Sequence, residues 1–185
     1  MSDQAIQELL DRQAIINCLH RFCRAVDRLD RDMMLSAYHS DAIDDHGQVV
    51  GSGADLFEWA RRRVASGDAD TTHHHITTHN CEIDGDTAHA ETYFIFSSVK
   101  KDGDLFAGIG RYIDRLERRS GEWCIAMRYC VAEWAGTITG LPNPFFASMS
   151  DLHANGMPSR DGNDPSYIRP LVNRRKLRPI DGESA

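Results

Sequence analysis

From Thr72 to Gly136 the chain alternates apolar, strand-like runs with three glycine-bearing turns, and this restricts its fold more than any other feature. The turns are Asp84-Gly85-Asp86, Lys101-Asp102-Gly103 and Ser120-Gly121. Each is a hairpin signal, because glycine supplies the positive φ that a tight turn between twisted strands needs. They separate four predicted strands, about 73–83, 87–99, 105–119 and 122–135. Consecutive strands joined by such short turns form an antiparallel meander. One face of that sheet must be covered.

The segments ahead of the meander supply the cover. Ile6, Leu9, Leu10, Ile15, Ile16, Leu19, Phe22, Cys23 and Val26 recur at helical spacing. Met33, Met34, Ala37 and Tyr38 repeat the pattern briefly and put Tyr38 on a second helix. A third helix, "ADLFEWARRRVAS", carries Leu56, Trp59, Ala60 and Val64 on one face. Between the last two, "AIDDHGQVVGSG" reads as two short strands about a turn at Gly47. The expected fold class is α+β: a cone formed by a curved mixed or antiparallel sheet packed on three N-terminal helices. An open cone of this kind is a natural apolar pocket. Residues 136–185 show almost no periodicity and hold every proline of the chain. The expected division is a cone domain, 1–135, and a long irregular C-terminal extension, 136–185, that wraps the body or a neighbouring subunit. Within the extension, Asn-Asp-Pro-Ser-Tyr reads as a turn.

Charge and composition narrow the function. The net charge of −7 argues against a nucleic-acid partner. The basic cluster Arg174, Arg175, Lys176 and Arg178 reads as a solvated tail or an inter-subunit contact. No run approaches the ~20 apolar residues of a membrane span. The polar, acidic start lacks the apolar core of a signal peptide, so the expected location is the cytoplasm. The five cysteines are odd in number and form no C-x-x-C pair, which fits reduced, mainly buried thiols. No dinucleotide-binding glycine motif or phosphate-binding loop is present, and no cofactor is expected.

The chemistry-bearing stretch is "THHHITTHN", with His73, His74, His75 and His79. Strand alternation puts His73, His75, Thr77 and His79 on one face and His74, Ile76 and Thr78 on the other. A bulge would change that assignment. Same-face neighbours on a flat strand lie ~7 Å apart. Zinc needs three or four convergent ligands, so no metal site is expected here. A histidine is the natural base near neutral pH. Asp27 ends the apolar face of the first helix and can orient such a base. Further candidates are Tyr38, to donate to a substrate oxygen, and Arg128 or Arg111, on neighbouring strands, to stabilise an oxyanion. Asp44 and His46 share one face of their short strand, and Trp59, Tyr93 and Tyr112 complete the set of candidate substrate contacts. The aromatic content around these positions fits an aromatic or polycyclic ligand, and core packing accounts for it equally well.

Several of these pieces together resemble the SnoaL-like branch of the nuclear-transport-factor-2-like superfamily. They are "RAVDRLDRDMMLSAYHSDA", "THHHITTHNCEIDGDTAHAE", "GIGRYIDRLERRSGEWCIAMR" and the closing "AEW". The superfamily includes scytalone dehydratase, hexachlorocyclohexane dehydrochlorinase, ketosteroid isomerase and polyketide cyclases, together with binding proteins that catalyse nothing. The resemblance implies an Asp–His pair in the cone, with Asp27 in "A-V-D-R" as the aspartate. Counting back from Gly85 gives His74 as the histidine. Arg128, five residues after Trp123, matches the dehydrochlorinase's arginine. Phe22 stands where that enzyme has a lysine, so a leaving chloride would lack its cationic partner. The implied activity is a cofactor-independent acid–base lyase, dehydratase or isomerase acting on a small hydrophobic or aromatic molecule, in a homo-oligomer (dimer or trimer). Carbon–carbon cleavage of lignin-derived aromatics, polyketide cyclisation and ligand binding without turnover are the alternatives.

Overall fold

The computed structural model describes residues 2–100, 103–139 and 150–176. Helix α1 (Asp3–Arg28) begins at Ser2, whose Oγ accepts from the Ala5 N–H, and ends at Leu29 in the left-handed region. The short helix α2 (Arg31–Leu35) is capped by Asp30. Strands β1 (Tyr38–Asp45) and β2 (Val50–Gly51) precede α3 (Gly53–Ser66), which opens on a capping box between Ser52 and Asp55. The meander follows as β3 (Thr71–Asp84), β4 (Thr87–Val99), β5 (Leu105–Arg119) and β6 (Glu122–Ile138). Gly85, Gly103 and Gly121 all take positive φ at the three turns. Lys101 and Asp102 of the second turn lie outside the described residues.

The six strands form one open sheet in the order β2-β1-β6-β5-β4-β3. The β1–β6 pairing is parallel and the other pairings are antiparallel. This parallel pairing corrects one expectation: Tyr38 opens β1 and is not on the second helix. The Ile125 N–H of β6 donates to the Ala37 carbonyl, and Tyr38 then pairs with Ile125. An otherwise unpaired strand edge thus captures the chain one turn earlier than its apolar spacing predicts.

Helix α1 lays Ile15, Cys18, Leu19, Phe22, Cys23 and Val26 against the sheet, where Phe94, Tyr112, Leu116 and Ile125 meet them. Burying each larger side chain contributes about 1.5–3 kcal/mol. Four cysteines are buried, Cys130 is half-buried, and all five are free thiols. No described helix is long and apolar enough to cross a membrane.

The chain divides into two compact units, Met1–Gly140 and Leu141–Ala185. Strand β6 runs past residue 135 to Ile138, within the first unit. In the second, the predicted Asn-Asp-Pro-Ser-Tyr turn is a 3-10 turn over Pro165–Tyr167 capped by Asp164. Asn155 receives the Arg174 N–H there, and Arg175 pairs with Asp151. Arg178 of the basic cluster lies outside the described residues.

Candidate active site

Helices α1 and α3 and the helix-facing side of the sheet enclose a cavity of about 260 Å³. Its wall is largely apolar. Phe22 and Val26 come from α1, Leu56 and Trp59 from α3, Phe94 and Phe96 from β4, Phe106 from β5 and Trp134 from β6. His74, His46, Gln48, Thr72, Arg63 and Cys130 add polar or ionisable groups to it.

His74 reaches the cavity because of where β3 lies. β3 is the edge of the sheet, so its outward N–H groups need partners other than a strand. At His74 the partner is Asp27, from the last turn of α1: the backbone N–H donates to Oδ2 at 2.8 Å. The other carboxylate oxygen, Oδ1, lies 2.6 Å from Nδ1 of the same residue. A carboxylate only accepts, so Nδ1 carries the hydrogen, and in the neutral ring Nε2 is the atom with the lone pair. The ring also contacts Phe96, with centroids 4.7 Å apart, and Phe22, at 6.0 Å. One aspartate therefore ties helix to sheet edge and fixes the imidazole's tautomer and direction.

A second histidine on the wall is held in the same way. His46 Nδ1 lies 3.0 Å from Oδ1 of the buried Asp44, and Tyr38 donates its hydroxyl to Oδ2 at 2.5 Å. Burial opposes ionisation of Asp44. The hydrogen bond from His46, the Arg128 charge and the Tyr38 hydroxyl outweigh it and hold the carboxyl below the ordinary range. Burial chiefly, with Asp44 beside it, keeps the Tyr38 phenol well above its usual value, and so neutral.

The remaining candidates are separated by the strand pleat. Arg128 is not on the cavity wall. It lies fully buried between the rings of Phe22 and Tyr112, 4.3 and 4.2 Å from their centroids, and makes a two-bond fork to Asp114 at 2.7 and 2.8 Å. Tyr112 is buried and stacked on Phe94, at 4.4 Å. Tyr38, Asp44, Tyr112 and Arg128 thus form a layer behind the wall, and only His74, His46 and Trp59 of the candidate set line the cavity. Tyr93 and Arg111 face the opposite side of the sheet, where Arg111 bridges Glu91 and Glu133. These two cannot contact a ligand in the cavity.

The histidine cluster is sorted by a bulge. His73 and His75 stack on each other on the exposed side, with centroids 5.7 Å apart. The expected alternation then fails. The register to β4 slips between Ile76 and His79, so Thr77 and Thr78 together oppose Tyr93. This turns His79 to the side of His74 and not to that of His73 and His75. His79 accepts or donates to the buried Thr92 hydroxyl at 2.8 Å, and burial holds its imidazole below the usual value. No three metal-ligating side chains group together among the described residues. Cys130 is a poor nucleophile, since burial pushes its thiol up to about 12.

Sequence reasoning passed over Arg63, although its position was visible. It continues the helical face of Leu56, Trp59 and Ala60 by the same spacing, so a charge stands where an apolar residue is expected.

Fold and cavity together define an open α+β cone whose apolar pocket is served by two carboxylate-backed histidines. The chain belongs to the SnoaL-like domain family, which matches residues 7–129. No curated protein matches the sequence. Among solved structures, a type 2 hexachlorocyclohexane dehydrochlorinase superposes with a TM-score of 0.67 at 16% identity, over 74% of this chain and 95% of that one. A protein from Novosphingobium aromaticivorans provisionally named a scytalone dehydratase gives 0.64 at 13% identity, over 74% and 93%. Another from the same organism, provisionally named an aromatic ring hydroxylase, gives 0.62 at 25% identity, over 70% and 94%. These likenesses establish a shared fold.

Proposed function

We propose that the protein is a cofactor-independent lyase or isomerase for a small hydrophobic cyclic or aromatic molecule. His74 acts as the base. Its Nε2 takes a proton from a substrate carbon, and Asp27 balances the imidazolium that forms. The electron pair left on carbon forms a new double bond. In elimination, a hydroxyl on the adjacent carbon departs as water with the Nε2 proton of a His46 imidazolium, whose charge Asp44 balances, and solvent carries the proton from His74 back to His46; in isomerisation the proton returns from His74 at another carbon. His46 takes the part first expected of Tyr38 or Arg128, because it is on the cavity wall and they are behind it. Arg128 and Tyr38 instead keep Asp44 ionised behind His46.

The observation that carries this reading is the 2.6 Å contact between Asp27 and a histidine whose ring lines an apolar cavity. General-base catalysis of this kind contributes about 10²–10⁴-fold. The dehydratase and dehydrochlorinase names of the structural neighbours point to the same reaction class. The test is turnover of a panel of cyclic β-hydroxyketones and arylpropanoid alcohols, followed by absorbance and mass spectrometry. His74→Ala is expected to lose at least ~10²-fold in kcat and Asp27→Asn a comparable amount. Unchanged turnover in both variants on a substrate that the wild type converts overturns the assignment.

A further inference from the structure

The cavity wall contradicts the charge of the chain. Asp and Glu outnumber Lys and Arg by 28 to 21, yet among the described residues no carboxylate lines the cavity. Its charged or chargeable nitrogen groups are His46, His74 and Arg63. The carboxylates Asp27 and Asp44 stand behind the histidines, each already bonded to one.

Arg63 is the feature that needs explaining. It lies in the last turn of α3, where a cation suits the helix dipole. That accounts for a charge at this turn but not for its place on an apolar wall. Its guanidinium lies 5.1 Å from the Trp59 ring centroid, and Trp59 is itself part of the wall. Arg61, two residues earlier, pairs with Glu58 at 2.9 Å. Arg63 has no ion-pair partner among the described residues. The positions that could supply one on the same helical face, at three and four residues' distance, hold Trp59, Ala60, Ser66 and Gly67.

We infer that the cavity takes an amphipathic organic anion, with an aromatic body against Trp59, Phe96, Phe106 and Trp134 and one anionic group on Arg63. An arginine stacked on an aromatic ring keeps its N–H edge free and pre-oriented for a carboxylate, phenolate or sulfonate. The apolar wall lowers the local dielectric and strengthens that contact over its value at an open surface. The arrangement sets specificity: a neutral ring system fills the same apolar volume but leaves the guanidinium without a counter-charge. This inference takes from the proposed function only that the cavity is the ligand site.

The test compares two fluorescent probes of one shape, anionic 1-anilinonaphthalene-8-sulfonate and neutral N-phenyl-1-naphthylamine. Binding to the full chain is read by probe emission and by quenching of tryptophan. Arg63→Gln is expected to weaken the anionic probe about tenfold, the equivalent of one charge-assisted contact, and to leave the neutral probe within about twofold. Arg63→Lys restores part of the loss, and raising salt weakens only the anionic probe. Arg61→Gln, on the same helix but paired with Glu58, leaves both affinities as they are. Equal effects of Arg63→Gln on the two probes, no effect on either, or an equal loss in Arg61→Gln would overturn the inference. His74→Ala is expected to keep the preference for the anion, so loss of turnover in that variant tests the reaction and leaves the probe result to judge the ligand class.

Discussion

Arg128 shows how much a single residue's role depends on which side of a wall it occupies. From spacing it is a candidate to stabilise charge on a substrate. In the structure it is a buried cation whose charge is met by Asp114, directly opposite it on β5. Removing one member leaves the other charged and dry, which costs about 3–5 kcal/mol. Replacing both with apolar residues of similar size costs far less. Urea unfolding is therefore expected to rank Arg128→Ala well below Arg128→Met/Asp114→Leu in stability. Equal losses would mean that packing, and not the unpaired charge, sets the cost. The meeting of His74 with Asp27, by contrast, was legible. The histidine's distance before the Asp-Gly-Asp turn belongs to the family resemblance, and the aspartate that ends an apolar helix face is a sequence-local signal. Nothing in the sequence tells that Arg128 is behind the wall, because that depends on Phe22 and Tyr112 closing over it from two other elements.

At the scale of elements, irregularities decide what alternation cannot. The bulge at Thr77 and Thr78 leaves His74 inward and also brings His79, Cys81 and Ile83 inward beyond it. A strict two-residue period would have sent His79 outward, and no residue in "ITTH" announces the slip. A further bulge lies on β6, where Glu133 is the extra residue opposite Ile109 and Gly110 of β5. Gly110 is required there by space and not by a turn. A Cβ on it would lie 2.1 Å from the Val131 carbonyl oxygen and 2.9 Å from Cζ of Phe94. The oxygen belongs to the neighbouring strand's backbone and cannot swing aside. Gly110→Ala is expected to cost about 1–3 kcal/mol, as overpacking in a closed core does, and to lower the urea midpoint accordingly. A midpoint equal to that of the wild type would show that the strands part at this point without penalty.

At the scale of the molecule, the meander was readable nearly to the residue, because three glycine turns punctuate it and each strand is long. What escaped was the parallel β1–β6 pairing, which joins segments far apart in sequence and leaves no local mark. That pairing also bears on where the folded body ends. β6 continues to Ile138, so a chain cut after residue 135 loses strand pairs with Leu105, Phe106 and Ala107 of β5. A chain cut after residue 139 keeps every pair. The buried core cluster runs from Ile15 to Ile125, wholly within it. No residue of 150–176 belongs to that cluster. We therefore propose that residues 1–139 fold alone. The expected result is a single cooperative urea transition and a far-UV spectrum with the helix and strand content of the first unit. A truncated chain with no cooperative transition would show that the second unit is needed to hold the cone together.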